Sequence, residues 1–367
     1  MTRILALAAA ASLSASMVTA GGIERTAQSV GVLFEQDRYV EFTFGAASPD
    51  VNGIGTAAIG GGTSGDLARS YLQFGAAFKA DINETWSYAV IYDQPFGADT
   101  AYPLDQAYFA RGAEAEFESH ALTGILRYKF PSNFSVHAGL RVQSIEASAT
   151  IPFVGNYSVQ GDRKLGLGYL LGVAYEVPEI ALRVALTYTS AIDYDVDTVE
   201  NSPLGVGNRS VTEVTTPQSI NLEFQTGIAE DTLLFGGVRW VEWSDFDISP
   251  ADYTSPFLAN SPLLSYENDY ITYTIGVGRR LNDTWSVAGA LSYEKGDSGF
   301  VTNLGPTDGL LSVGLSAVYR QDNMTITTGI RYIDIGNAQT RAGAAAPAGV
   351  FEDNHAVAFG VKVGYAF

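Results

Sequence analysis

Residues Tyr71–Gly97 read YLQFGAAFKAD, INET, WSYAVIYDQPFG. On the first arm Leu72, Phe74, Ala76, Phe78 and Ala80 alternate with Gln73, Gly75, Ala77, Lys79 and Asp81. On the second, Trp86, Tyr88, Val90 and Tyr92 alternate with Ser87, Ala89, Ile91 and Asp93. A period of two places one set on each face of a strand. One face is apolar and aromatic, the other small, polar or charged. Asn83 and Glu84 turn the chain between the arms. Much later Leu281-Asn282-Asp283-Thr284-Trp285-Ser286 repeats Ile82-Asn83-Glu84-Thr85-Trp86-Ser87 almost word for word.

The same unit recurs along the chain. Expected strands are Arg38–Ala47, the two arms above, Glu116–Phe130, Phe134–Ala149, Leu165–Val177 and Ile180–Asp195. Thr215–Ile228, Thr232–Phe246, Asn268–Leu281, Thr284–Gly296, Gly309–Arg320, Met324–Asn337 and Asn354–Phe367 follow. The count is about fourteen, an even number suited to a closed antiparallel up-and-down barrel. Connections alternate between tight turns and long loops. The long ones are Pro49–Arg69, Phe96–Ala113, Thr150–Lys164, Asp197–Val211, Asp247–Glu267, Asp297–Thr307 and Ala338–Asp353. Bacterial outer-membrane barrels have short periplasmic turns and long extracellular loops. A propeller needs a different period, and no helical periodicity separates the strands.

Charge placement separates a membrane barrel from a soluble one. Lys79, Arg127, Arg141, Glu176, Arg183, Glu223, Arg239, Glu294, Arg331 and Lys362 fall mostly on one parity, opposite apolar residues. An Arg or Lys facing lipid at mid-depth costs ~2–4 kcal/mol, so this parity is expected to face the lumen. Aromatic residues gather near strand ends, as interface girdles do: Trp86, Tyr128, Phe130 and Trp285 near tight turns, Tyr188, Trp240, Tyr293 and Tyr332 near loops. The chain closes on alternating residues up to Phe367. Glu242, between Trp240 and Trp243, breaks the pattern, as a residue above the bilayer or a bulge would.

Composition sets the remaining limits. The 367 residues are 46% hydrophobic, and no interior run of ~18 or more apolar residues offers a membrane helix. Net charge is −19, which repels nucleic acid. There is no cysteine, so disulfides and thiolate metal sites are excluded. Arg3, the apolar run Ile4–Leu13 and Val18-Thr19-Ala20 read as a secretory leader over residues 1–20. Residues 21–37 are an aperiodic plug or arm, and residues 38–367 the barrel.

The segment Tyr92-Asp93-Gln94-Pro95-Phe96-Gly97 resembles the YxxPFG element of FadL/TodX-type transporters of hydrophobic compounds. Thr216-Pro217-Gln218-Ser219 and Val238-Arg239-Trp240-Val241-Glu242-Trp243-Ser244-Asp245-Phe246 resemble that family too, and the order of elements matches from Arg38 to Phe367. The resemblance implies a fourteen-stranded barrel of the bacterial outer membrane. It implies passive uptake of long-chain fatty acids or other apolar solutes, captured among loops and released sideways through a kinked third strand. The chain departs from the family at its start: the usual Asn-Pro-Ala of the plug does not occur before Arg38.

Candidate residues follow. Phe96, Tyr102, Phe109, Phe153, Val154, Phe257 and Leu258 are loop apolar residues that could capture ligand, or pack on one another as a cap. Asp93, Pro95 and Gly97 mark a lateral gate, because proline removes a ladder hydrogen bond and glycine allows a bend; alternatively the strand simply ends there. Arg111, Arg141 or Arg163 could pair with a fatty-acid carboxylate; Arg141 could instead belong to a lumenal ion pair with Glu146 or Glu223. The acidic run Asp193, Asp195, Asp197 and Glu200 is a divalent-cation site or a solvated surface. His120, His137 and His355 lack any nucleophile motif, so no enzyme, cofactor or metal is expected. Expected partners are hydrophobic small molecules, outer-membrane lipid and lipopolysaccharide, and the outer-membrane assembly machinery, with the barrel a monomer. The alternative function is a general porin for small polar solutes.

Overall fold

A computed structural model describes residues 22–297, 299–343 and 345–367. The leader expected at residues 1–20 lies outside the described residues. Seventeen hydrogen-bonded segments form one antiparallel sheet, and three staves consist of two segments each, so the closed barrel has fourteen staves. They are β1 (Tyr39–Asp50), β2 (Tyr71–Asp81), β3 (Trp86–Asp93, then Gly97–Ala101), β4 (Glu114–Lys129), β5 (Phe134–Ile151), β6 (Tyr157–Val177) and β7 (Leu182–Thr189, then Ile192–Ser202). After these come β8 (Gly205–Thr216, then Ser219–Ala229), β9 (Thr232–Val241), β10 (Tyr270–Arg280), β11 (Trp285–Glu294), β12 (Leu310–Gln321), β13 (Met324–Ile335) and β14 (Asn354–Ala366). Closure is made by β1 on β14, with Tyr39 opposite Ala366 and Asp50 opposite His355. No helix is long and apolar enough to cross a membrane among the described residues, so the strands carry the backbone hydrogen bonding.

The repeated words make the same turn twice. Asn83 Oδ1 accepts from the backbone N–H of Thr85 and Trp86, each at 2.9 Å. Asn282 Oδ1 accepts from Thr284 and Trp285 at 2.9 and 2.8 Å. A short polar side chain thus caps the hairpin from within.

Parity sorts the wall as the alternation requires. Leu72, Phe74, Leu122, Leu140, Ile275, Leu315, Ile330 and Phe359 are exposed on the outside. Lys79, Arg127, Arg141, Arg239, Glu294, Arg331 and Lys362 are buried inside. Such a wall is stable only against lipid. Replacing Leu315, midway along β12, by arginine is expected to destabilise the barrel by ~2–4 kcal/mol in denaturant titrations of protein refolded into liposomes.

Two expected loops are strand. β6 begins at Tyr157, not Leu165, and β7 with β8 runs to a tight turn between Ser202 and Gly205. Polar residues suggested loop there, but they alternate with buried Tyr157, Val159, Ile192, Tyr194, Val196 and Val214. The chain expected to run unbroken from Ile180 to Asp195 is interrupted between Thr189 and Ile192. Glu242 precedes a one-turn 3-10 helix, Trp243–Asp245; its backbone N–H donates to Gln218 O at 3.1 Å, and the Gln218 amide donates to its carboxylate.

Residues 22–37 lie inside the barrel. Val30, Val32 and Leu33 pack against Tyr39, Ala77, Ala89, Ile125 and Leu170. Ser29 Oγ donates to Glu223 at 2.6 Å, and Asn221 Nδ2 donates to Ala27 O at 2.7 Å. The Phe34 ring lies between two guanidinium groups, with Arg127 at 4.5 Å and Arg183 at 4.6 Å from its centroid. Each such contact contributes about 0.5–2 kcal/mol, more where water is excluded.

Candidate functional site

Above the lipid-facing band the wall changes sides. On β4, Glu114, Glu116 and Glu118 are exposed outside, while Phe117 is buried inside. On β7, Asp193, Asp195 and Asp197 face out and Tyr194 and Val196 face in. The loop end is therefore charged without and apolar within, the reverse of the band below it. The acidic row does not include Glu200, which is buried and accepts from Tyr157 Oη at 2.8 Å and from the backbone N–H of Asp252 at 3.0 Å. Asp197 pairs with Lys164 and Asp193 accepts from Thr215 Oγ1 at 2.8 Å.

Phe117 and Val196 line a cavity of about 200 Å³. Its walls include Ile23, Tyr71, Phe117, Ile145, Val196, Val214, Leu264, Tyr266 and Leu304. Apolar cavities of ~150 Å³ already stay dry and take up benzene, so this one suits a small apolar molecule or one end of a longer one. Trp243 is fully buried below it, with ring centroids of Phe96, Phe246 and Tyr266 at 5.7, 5.3 and 5.0 Å.

The cavity reaches the interruption in β3. Pro95 has no N–H to give, and its carbonyl accepts instead from Arg25 N at 2.8 Å. Gly97 N donates to Ile23 O at 2.7 Å. The arm is thus stitched into the break. Beyond Ala76 the upper part of β2 has no ladder to β3. The Arg25 guanidinium covers the opening: it lies 4.2 Å from the Tyr71 ring centroid, and a Cβ built on Gly97 would sit 2.4 Å from its Nε. That Nε is buried without a hydrogen-bond partner. The cation stands at the edge of an apolar chamber with donors to spare.

The capture residues read from the sequence form a cap rather than the lining. Tyr102 and Tyr108 stack at 5.5 Å, Phe109 meets Phe153 at 5.1 Å, and Val154 and Leu258 pack on the same cluster. Phe96 is buried on Trp243, and Phe257 is 85% exposed. Tyr102 Oη donates to Asn303 O at 2.6 Å, which ties two loops together. Burial pushes the Tyr108 phenol up to about 12, partly offset by the Thr340 hydroxyl, and raises Tyr102 well above the usual range. Both remain neutral at any physiological pH. Of the three gate residues, Gly97 lines the cavity. Asp93 ends the lower half of β3 and accepts from Thr26 Oγ1 at 3.3 Å.

The three arginines considered for a head group are placed elsewhere. Arg141 pairs with Asp93 at 3.7 Å, donates to Thr123 Oγ1 at 3.0 Å and contacts the Gln28 amide oxygen. The expected partners Glu146 and Glu223 are taken: Glu146 by Arg163 at 2.8 Å, Glu223 by Ser29. Arg111 is exposed on the loops. Arg25 was missed because the aperiodic arm gave no strand to place it on. Phe117, between Glu116 and Glu118, was legible as an apolar residue on the lumenal parity of its strand; Val196 and Val214 were not, because both lie beyond a change of face.

A family model described as "Outer membrane protein transport protein (OMPP1/FadL/TodX)" matches residues 38–367. Among solved structures the chain is similar to a Pseudomonas aeruginosa FadL homologue, with a TM-score of 0.73, 14% identity and 92% of each chain covered. It is similar to the Pseudomonas putida toluene transporter TodX, with a TM-score of 0.67, 12% identity, 96% of this chain and 97% of that one covered. The Ralstonia pickettii toluene transporter TbuX matches with a TM-score of 0.62 and 14% identity, over 91% of this chain and 90% of its own. At these identities the structural likeness concerns the fold. No curated protein matches.

Proposed function

Because the chain belongs to the FadL/TodX family of outer-membrane transport proteins, we propose that it admits hydrophobic molecules through its roofed cavity and releases them sideways at the interruption of β3. The family places it in the bacterial outer membrane as a passive transporter of hydrophobic compounds rather than an enzyme. One observation carries the route: the apolar cavity ends at Gly97, on the stretch where β2 and β3 share no ladder and the arm, with the Gln73 and Gln94 side chains, fills the wall. A solute leaving there enters lipid without crossing the charged lumen below. The arm occupying that lumen argues against a polar porin, which needs a continuous wet path.

The substrate class that fits is a long-chain fatty acid or a similar apolar solute. Toluene is carried by relatives of the same fold, by their names, and an uncharged monoaromatic suits the cavity's volume. Arg25 adds a place for an anionic head group. Exposed Leu72 and Phe74 flank the opening as a lipid contact. Lipopolysaccharide surrounds the loop end, the assembly machinery inserts the barrel, and the barrel acts as a monomer in this reading.

Uptake of labelled fatty acid and of toluene by a transporter-deficient strain, with and without this protein, tests the reading. Loss of signal for every apolar compound, with the barrel correctly inserted, rejects it. A large steady conductance in planar bilayers would favour the porin instead. Within the fatty-acid arm, Arg25→Met is expected to weaken carboxylate binding by roughly 10- to 100-fold, the range of a charge-assisted hydrogen bond. Toluene binding should hold. Equal losses for both ligands would make Arg25 a structural strut.

A further inference from the structure

A second stretch of wall lacks a ladder. β6 and β7 keep one register from Val177 opposite Leu182 up to Leu170 opposite Thr189, and again from Gly161 opposite Thr198 to Ser158 opposite Asn201. Between these blocks no ladder joins residues 162–168 to residues 191–197 among the described residues. The cause is a change of face at Ser190–Ala191. Ile192, Tyr194 and Val196 turn into the lumen, whereas Leu165 and Leu167, which the register would set beside them, stay outside at 73% and 67% exposure. β8 makes the matching change at Pro217, whose missing N–H also breaks its stave.

Glycine makes room for the turned-in residues. A Cβ on Gly166 would lie 2.4 Å from Ile192 and 2.6 Å from the Tyr194 ring, and one on Gly168 2.7 Å from Ile192. The seam is shut by these side chains resting on bare backbone, not by backbone hydrogen bonds. Across its outer edge Lys164 Nζ meets Asp197 Oδ2 at 2.5 Å, with side chains 35% and 58% exposed, a contact that solvent screens. At the loop-side end of the seam Gly161 and Val196 line the same apolar cavity that reaches β3, and Ile192 and Tyr194 continue the inward row just below that lining. The seam sits on the loop side of the paired Tyr169 and Tyr188 rings, at the lipid–water boundary, where water can satisfy the unpaired backbone groups.

We propose that this seam between β6 and β7 is a second lateral portal, through which uncharged apolar molecules pass between the outer-leaflet boundary and the cavity, with Ile192 and Tyr194 as its movable leaf. The inference rests on the hydrophobic-transport reading above. The lips set the ligand class. Leu165 and Leu167 offer an apolar approach on one side, and Asp193, Asp195 and Asp197 on the other repel carboxylates and lipid phosphates. Opening needs only side-chain rotation and loss of one screened ion pair, with no ladder to break.

The absence of cysteine makes a direct test available. Lys164→Cys/Asp197→Cys would be joined by a short, reducible thiol-to-thiol linker and reconstituted in lipid vesicles. Uptake of toluene and of a fluorescent fatty acid would be followed before linking, after linking and after reduction. Toluene uptake is expected to fall by roughly half or more on linking and to recover on reduction, as a gated path does, while the fatty acid is unaffected. Tyr194→Ala, checked for folding by its heat-modifiable gel mobility, should raise toluene uptake without raising ion conductance. Linked protein, verified by mass, that carries toluene at its reduced rate overturns the portal. So does an equal fall for both solutes, which would mean that the seam only holds the cavity's shape. A wild-type protein that carries neither solute defeats the transport reading itself, a result distinct from either of these.

Discussion

Arg239→Ala is expected to release the arm from the barrel. Arg239 Nε donates to both oxygens of Glu24 at 3.0 and 3.1 Å, with side chains 7% and 2% exposed. It also holds Ser219 Oγ at 3.2 Å and Asn221 Oδ1 at 2.6 Å. Deleting one partner of a buried pair strands the other charge, at a cost of about 3–5 kcal/mol. That shifts the arm's docking equilibrium by roughly two to three and a half orders of magnitude. With the arm out, the polar lumen opens. Steady conductance in planar bilayers and sensitivity of cells to large polar antibiotics should both rise sharply, while the barrel still folds. Unchanged conductance in a correctly inserted variant would mean that Ser29 and Phe34 hold the arm unaided. Glu24→Gln should show a smaller effect, because its amide keeps one acceptor for the guanidinium.

Trp243→Ala carries the next largest effect, and it acts on the cavity. The indole is fully buried among Phe96, Phe246 and Tyr266, and a Cβ on Gly22 would lie 2.4 Å from it. Truncating a buried tryptophan costs ~3–5 kcal/mol. The void left would join the chamber above and unseat both the start of the arm and the break in β3. Thermal unfolding should move down clearly, and apolar-ligand affinity should drop with it. Trp243→Phe, which refills much of the volume, should restore most of both. Loss of stability with intact ligand affinity would show that the chamber does not depend on its floor.

The barrel was legible because its physics is periodic. Leu72, Phe74, Trp86 and Tyr88 announce a face by alternation alone, and Asn83 with Asn282 announce one turn twice. The expected placement of Arg141 and Lys362 indoors follows from the cost of a charge in lipid. Other features depend on where a pattern changes along a single strand. On β4 one outward face runs from Glu114, Glu116 and Glu118 down to Leu122 and Leu126, so polar residues there mean water outside, not a loop. Asp193 and Asp195 likewise face water from a strand, as the solvated-surface reading of the acidic run requires. Ser190–Ala191 looks unremarkable in sequence; its role shows only when the buried partners of Gly166 and Gly168 are known. Arg141 was assigned Glu146 or Glu223 as a partner, but Asp93, two staves away at the end of the lower half of β3, takes that place. Arg25 belongs to an arm whose place is decided by tertiary contacts alone.

The tether between Glu24 and Arg239 spans 215 positions of chain, and Glu24 lies only a short way before β1, which meets the last stave to shut the ring. A ring that shuts early would trap the first residues outdoors, and one that shuts around them must wait for stave nine. Assembly therefore has an order of events written into it: the tail end of synthesis completes an enclosure whose contents were made first. Truncating β14 should accordingly leave a species in which the arm is protease-accessible even though β9 is already paired.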